Sequence, residues 1–249
     1  MALLDRVLQR RRPRPEPVEA SRMSVIEHLE ALRRALIISL VAWAIGTVIA
    51  FTFSTQIVEF LKSRAGVPHL IYLDPAGGFL LLFKVALYVG IVIAAPVVIQ
   101  QAWWFVSPGL HKSERRIVAP MVVGTIVFFL IGISAALFSL PIYIHVLTGF
   151  APPGVTYLGD VDGFLGFVLT MIIGFGLVFE LPVVLFVLGV ARIINSKWLY
   201  KNRLYWFVGL GLAANFLTPG ADPFTPLIMF IPLYIFFEGT ALVLKLTGR

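Results

Sequence analysis

The stretch IVAPMVVGTIVFFLIGISAALFSLPIYIHVL, residues 117–147, decides the fold. It contains no Asp, Glu, Lys or Arg, with Pro120 at its start and Pro141 near its end. Crossing the hydrocarbon core of a bilayer takes about 20 helical residues, so this run is long enough to span a membrane. Working outward, five more apolar runs appear: Ala35–Phe53, Phe79–Val106 interrupted by Pro96, Phe164–Val190 with Pro182, Leu204–Leu217, and Phe224–Leu246 with Pro226 and Pro232. The fifth is short, which implies bilayer thinning or shelter by neighbours; a re-entrant segment is the other reading. The turn Thr218-Pro219-Gly220-Ala221-Asp222-Pro223 is brief enough to force the last two runs into an antiparallel hairpin.

Composition agrees. Of 249 residues, 59% are hydrophobic and 13% charged, where a soluble domain carries about 25% charged residues. A water-soluble globule is excluded. The net charge of +7 would admit a nucleic acid partner in a soluble protein, but the positions of the charges give it another meaning. With six spans, 17 of the 20 Lys and Arg residues fall on one side, and Lys62, Arg64 and Lys84 are the exceptions. The positive-inside rule puts both termini in the cytoplasm. Residues 1–22 are basic and Pro-broken and are expected to be a flexible extension, with no pattern for a removable signal peptide; residues 23–249 form the six-helix domain. Ser24 and Glu27 have capping-box spacing and predict a short amphipathic helix over residues 25–34 as a lead-in at the membrane surface.

Catalytic readings are weak. The absence of Cys excludes disulfides, thiolate metal sites and cysteine nucleophiles. His28, His69, His111 and His145 show no zinc spacing, so no metal or cofactor is expected. Gly132-Ile133-Ser134-Ala135 loosely resembles an intramembrane serine site, but a serine in a membrane helix usually bonds back to its own backbone. No enzymatic activity is expected.

The informative residues are acids in the wrong places. Glu180 lies mid-span, where a carboxylate costs roughly 2.5–3.5 kcal/mol on insertion scales. It is either a functional group, protonatable or docked against a partner helix, or a packing residue bonded to a neighbouring helix. Glu27, Glu30 and Glu114 stand on an otherwise basic face. Carboxylates there either bind a basic peptide, since a guanidinium engages a carboxylate through two parallel bonds, or form local salt bridges. Lys84 is an interface anchor or, with Glu180, part of a small proton- or ion-coupled transporter. Glu238 snorkels or pairs with Lys245. Gln100 and Gln101 precede Trp103-Trp104-Phe105, whose tryptophans read as interfacial belt residues.

Taken in order, several motifs resemble the TatC family, the multispanning receptor subunit of the twin-arginine (Sec-independent) protein translocase. They are Glu27-His28-Leu29-Glu30-Ala31-Leu32-Arg33-Arg34; Pro75, Phe79, Lys84 and Pro96; Gln101, Trp103 and Phe105; Ser107-Pro108-Gly109-Leu110 with Glu114-Arg115-Arg116; Phe179-Glu180-Leu181-Pro182; and Leu217-Thr218-Pro219 with Asp222. The resemblance implies an all-α integral membrane protein, a concave glove-like bundle of six helices with the last two short. It implies recognition of twin-arginine signal peptides on folded cargo, single-span TatA- and TatB-like partners, self-association in a receptor complex, and transport driven by the proton-motive force. Glu114, Glu30, Arg33, Phe105 and Gln101 correspond to the peptide site, Glu180 to an intramembrane acid that contacts a partner helix, and Asp222 to an acid of the outer turn. Two positions depart from the pattern. Ala31 stands where the family usually has Glu, and Gly77 stands where an acid is common.

Overall fold

The computed structural model describes residues 25–67, 69–71, 75–107, 118–152, 159–218 and 225–248. The N-terminal extension, including Ser24, lies outside them, as do segments 108–117 and 219–224 with Glu114 and Asp222. Five helical stretches are long and apolar enough to cross a membrane. Helix α1 spans Val25–Thr52, 28 residues. After the short helix α2, Ser54–Ala65, come α3, Gly77–Val106, 30 residues, and α4, Val118–Gly149, 32 residues. The fourth stretch is divided into α5, Val161–Val178, and α6, Leu181–Val190. The one-and-a-half-turn helix α7, Ser196–Lys201, leads to α8, Arg203–Leu217, 15 residues, and α9, Thr225–Leu246, 22 residues. The last two long helices are thus shorter than the earlier three. At a rise of 1.5 Å per residue, α8 is about 22 Å long, short of a hydrocarbon core of about 30 Å.

Sequence and structure differ at four points. The lead-in is not a separate helix, because backbone hydrogen bonding is indifferent to the change in hydropathy at Ala35 and α1 runs through it. Pro96 does not interrupt α3; neighbouring helices let a membrane helix tolerate the missing donor. Helix α2 was not anticipated. It buries Leu61 and Ala65 and ends at Gly66, whose φ of +70° is the left-handed C-cap that glycine adopts without strain. A two-residue parallel ladder also pairs Leu70 with Gly159 and Ile71 with Asp160.

Glycine decides how closely the helices approach. Helices α1 and α3 meet at Gly46 and Gly90, where a Cβ on Gly90 would stand 2.8 Å from the Thr47 backbone nitrogen and one on Gly46 2.7 Å from the Gly90 carbonyl oxygen. Small residues at such crossings give membrane helices van der Waals contact where lipid offers no hydrophobic drive. The Trp43 indole adds a bond across the same pair, donating to the Leu87 carbonyl at 2.9 Å.

The α5–α6 stretch is the centre of the bundle, contacting α3, α4, α8 and α9. Fully buried Leu165, Leu169, Met171, Phe175 and Leu185 belong to it. Pro182 lacks an N–H, so the Val178 carbonyl loses its usual donor. The chain tightens there, with the Glu180 N–H bonding the Leu177 carbonyl at 3.1 Å before α6 resumes. Outside this centre, large apolar side chains face outward on every long helix, among them Val48, Phe138, Phe216 and Ile235. Water does not tolerate so wide an apolar surface, and the chain is a multi-pass membrane protein.

Candidate functional site

One end of the bundle carries Arg33, Arg34, Arg192, Lys197, Lys201, Arg203 and Lys245, and is called the basic face. The first turn of α1 meets the last turn of α3 there. His28 and Phe105 stack with ring centroids 4.3 Å apart and planes 22° apart. This contact brings Glu30 and Arg33, both exposed, to the same end as Gln101 and Phe105. Gln101 is buried and Phe105 half-buried. Ala31 is also half-buried, whereas Glu30 is exposed; neighbouring helix positions differ by about 100° in direction. Segment 108–117, which holds Glu114, joins α3 to α4 in sequence and lies outside the described residues. Gly77 is the first residue of α3.

A polar relay leads inward from this end. The Trp103 indole of α3 donates to the Thr125 hydroxyl of α4 at 3.0 Å. Thr125 in turn hydrogen-bonds the Glu180 side chain at the α5–α6 break. Trp103 is therefore half-buried and engaged, while its neighbour Trp104 is exposed. The Glu180 Oε1 atom is buried and has no hydrogen-bond partner among the described residues. Beside the relay, α4, α6 and α9 border an apolar groove of about 510 Å³ whose wall includes Gly124, Phe128, Pro182, Phe186, Phe236 and Thr240.

Lys84 lies at the opposite end. Its Nζ is 2.7 Å from Asp162 Oδ1 and also donates to the Asp162 carbonyl at 3.4 Å. Asp162 and Glu180 stand near opposite ends of α5, about 27 Å apart at helical rise. Lys84 and Glu180 therefore do not form one site, and the transporter reading built on that pair is not supported. Glu238 pairs with Arg203 at 2.7 Å, not with Lys245. Because Arg203 opens α8 and Glu238 lies in the second half of α9, the pair holds the two helices antiparallel, as the short turn required. The Ser134 hydroxyl donates to the Leu130 carbonyl at 2.8 Å, the ordinary role of a serine in a membrane helix.

A family model described as Sec-independent protein translocase protein (TatC) matches residues 27–232. The chain belongs to the TatC family. A TatC from Carboxydothermus hydrogenoformans is 35% identical, over 92% of this chain and 95% of its own length. One from Aquifex aeolicus is 36% identical, over 91% and 97%. A crystal structure of the twin-arginine translocase receptor TatC superposes with a TM-score of 0.78 at 35% identity, covering 89% of this chain and all of that one. The TatC assignment makes the chain a component of a Sec-independent translocase. It also bears out the all-α membrane fold and the family resemblance in the motifs. Residues that sequence reasoning passed over are Thr125 and the bonding role of Trp103; a threonine in a membrane helix carries no signal until its partners are known.

Proposed function

We propose that this TatC-family chain is the receptor for twin-arginine signal peptides, binding the arginine pair at the basic face. The observation that carries the reading is the His28–Phe105 stack. It supports the reading by bringing the α1 turn that carries Glu30 and Arg33 to the same end of the bundle as Gln101 and Phe105 of α3, from which the Glu114 segment continues in sequence. A guanidinium pair needs carboxylates for bidentate bonds and an apolar surface for the flanking residues. Glu114 and Glu30 supply the first, and the exposed Leu29 and Trp104 the second.

Around this site, six helices cross the cell inner membrane with both termini cytoplasmic, α8 being the short fifth span and residues 1–22 a basic extension. A single-span TatA- or TatB-like partner lies in the groove of α4, α6 and α9 and supplies a polar group to the unpaired Glu180 oxygen. Copies of the receptor associate in the resting complex, and the proton-motive force drives passage of folded cargo. Asp222, in the turn between α8 and α9, belongs to the opposite side.

Ala31 supplies the test. Because Ala31 is half-buried and turned away from Glu30, Glu30 replaces the family's usual acid only if the peptide shifts along α1. Binding of a twin-arginine peptide to the purified chain is compared with binding to Ala31→Glu. The added carboxylate tightens binding about tenfold, the worth of one more charge-assisted pair. Binding that is absent in both, with the chain folded, refutes the receptor reading.

A further inference from the structure

The basic face carries a second feature that peptide recognition does not use. A cavity of about 760 Å³ lies between the end of α6, the start of α7 and the end of α9. Arg192, Lys197 and Lys245 line it, with Asn195, Tyr200 and Thr247 as neutral polar groups, and no carboxylate is in its wall among the described residues. Three basic residues in one wall, with no carboxylate among the described lining residues, make the cavity favourable to an anion.

The backbone at Arg192 points the same way. Helix α6 ends in a Schellman motif, with the Ile193 N–H bonding the Leu188 carbonyl at 2.9 Å and the Arg192 N–H bonding the Gly189 carbonyl at 3.1 Å. The residue at its left-handed position is normally glycine, because a Cβ is strained there. Here it is Arg192, with φ of +57°. Glycine would end the helix with less strain, but it would remove a guanidinium from the cavity wall.

Exposed apolar side chains adjoin the lining residues in sequence: Ile193, Trp198 and Leu246 are 69%, 46% and 77% exposed. We propose that the cavity holds the phosphate of an anionic phospholipid headgroup, with the acyl chains lying over Ile193 and Leu246. Basic pockets between membrane helices suit such headgroups. A free phosphate satisfies the cations equally, but leaves these apolar neighbours without a partner. A twin-arginine peptide is repelled by the same three cations, so this cavity and the peptide site are distinct.

The test uses the full chain reconstituted with equal parts phosphatidylglycerol and phosphatidylcholine, then delipidated, with the retained lipid counted by native mass spectrometry. The wild type retains phosphatidylglycerol preferentially. Lys245→Gln and Arg192→Gln each weaken that preference about fivefold, the worth of one cation near an anionic headgroup, and Arg192→Lys retains most of it. Unfolding in phosphatidylcholine alone reports whether each variant is folded; Lys245, exposed in the last turn of α9, keeps the test open if Arg192 variants misfold. Equal retention of the two lipids, or an unchanged preference in Lys245→Gln, overturns the proposal. Displacement of the lipid by millimolar inorganic phosphate assigns the cavity to a free anion, and displacement by a twin-arginine peptide assigns it to the signal peptide; either result overturns the lipid assignment.

Discussion

Thr125→Val removes one hydroxyl and disconnects Trp103 from Glu180. The substitution nearly conserves shape, so packing changes little and the loss is polar. Thr125 is 7% exposed, accepts the Trp103 indole N–H at 3.0 Å and bonds the Glu180 carboxyl. Two bonds are therefore broken among groups with little access to water. Side-chain hydrogen bonds between membrane helices are worth about 0.6 kcal/mol on average and up to about 1.7 kcal/mol, so two of them predict a destabilisation of about 1 to 3 kcal/mol. Thr125→Ser keeps the hydroxyl and isolates the cost of the lost methyl. The assay is reversible unfolding in mixed micelles, monitored by tryptophan fluorescence, with partner copurification as the functional readout. Valine is expected to fall below serine in both. Valine and serine variants of equal stability would refute the relay.

Three further outcomes follow from the packing. Gly90→Ala places a Cβ 2.8 Å from the Thr47 backbone, where carbon contacts settle near 3.5–4.0 Å; α1 must move away and stability falls by about 1–3 kcal/mol, whereas Gly78→Ala, with open space at its Cβ, is neutral in the same thermal melt. Lys84→Gln breaks an ion pair whose partner Asp162 is 80% exposed, so unfolding shifts by less than about 1 kcal/mol; a larger loss would make the pair a structural clamp. Glu180→Ala loses a single-span partner on copurification while twin-arginine peptide binding persists, and joint loss of both would instead indicate misfolding.

The spans were legible because a run of about 20 apolar residues has few alternatives in a chain with this little charge. Their limits were less so. Hydropathy changes at Ala35, but α1 does not. Pro96, Pro141, Pro182 and Pro232 look alike in sequence as prolines within apolar runs. Only at Pro182 does the helix divide, and there Glu180 is tied to Thr125 on another helix. Helix α2 was hidden by its polar composition, although Lys62 and Arg64 in its last turn and Gly66 beyond it are C-terminal signals. At the site, single acids stood out against lipid or a basic face, which is why Glu30 and Glu180 were visible. Their partners were not. The Trp103–Thr125–Glu180 relay joins three helices, and no local pattern announces a tertiary hydrogen bond. The stack of His28 on Phe105 is likewise a product of the α1–α3 crossing, which Gly46 and Gly90 permit.

The proposed receptor role requires the basic face to read an arginine pair. The most direct measurement places a photoreactive benzophenone side chain at exposed Trp104, next to Phe105, and compares crosslinking of signal peptides bearing paired Arg or paired Lys. Lysine keeps the charge but lacks the planar fork that bonds a carboxylate through two donors. A receptor of this kind crosslinks the twin-arginine peptide strongly and the twin-lysine peptide at least about tenfold more weakly, and loses the difference in Glu114→Ala. Equal crosslinking of the two peptides to the wild-type chain would contradict it.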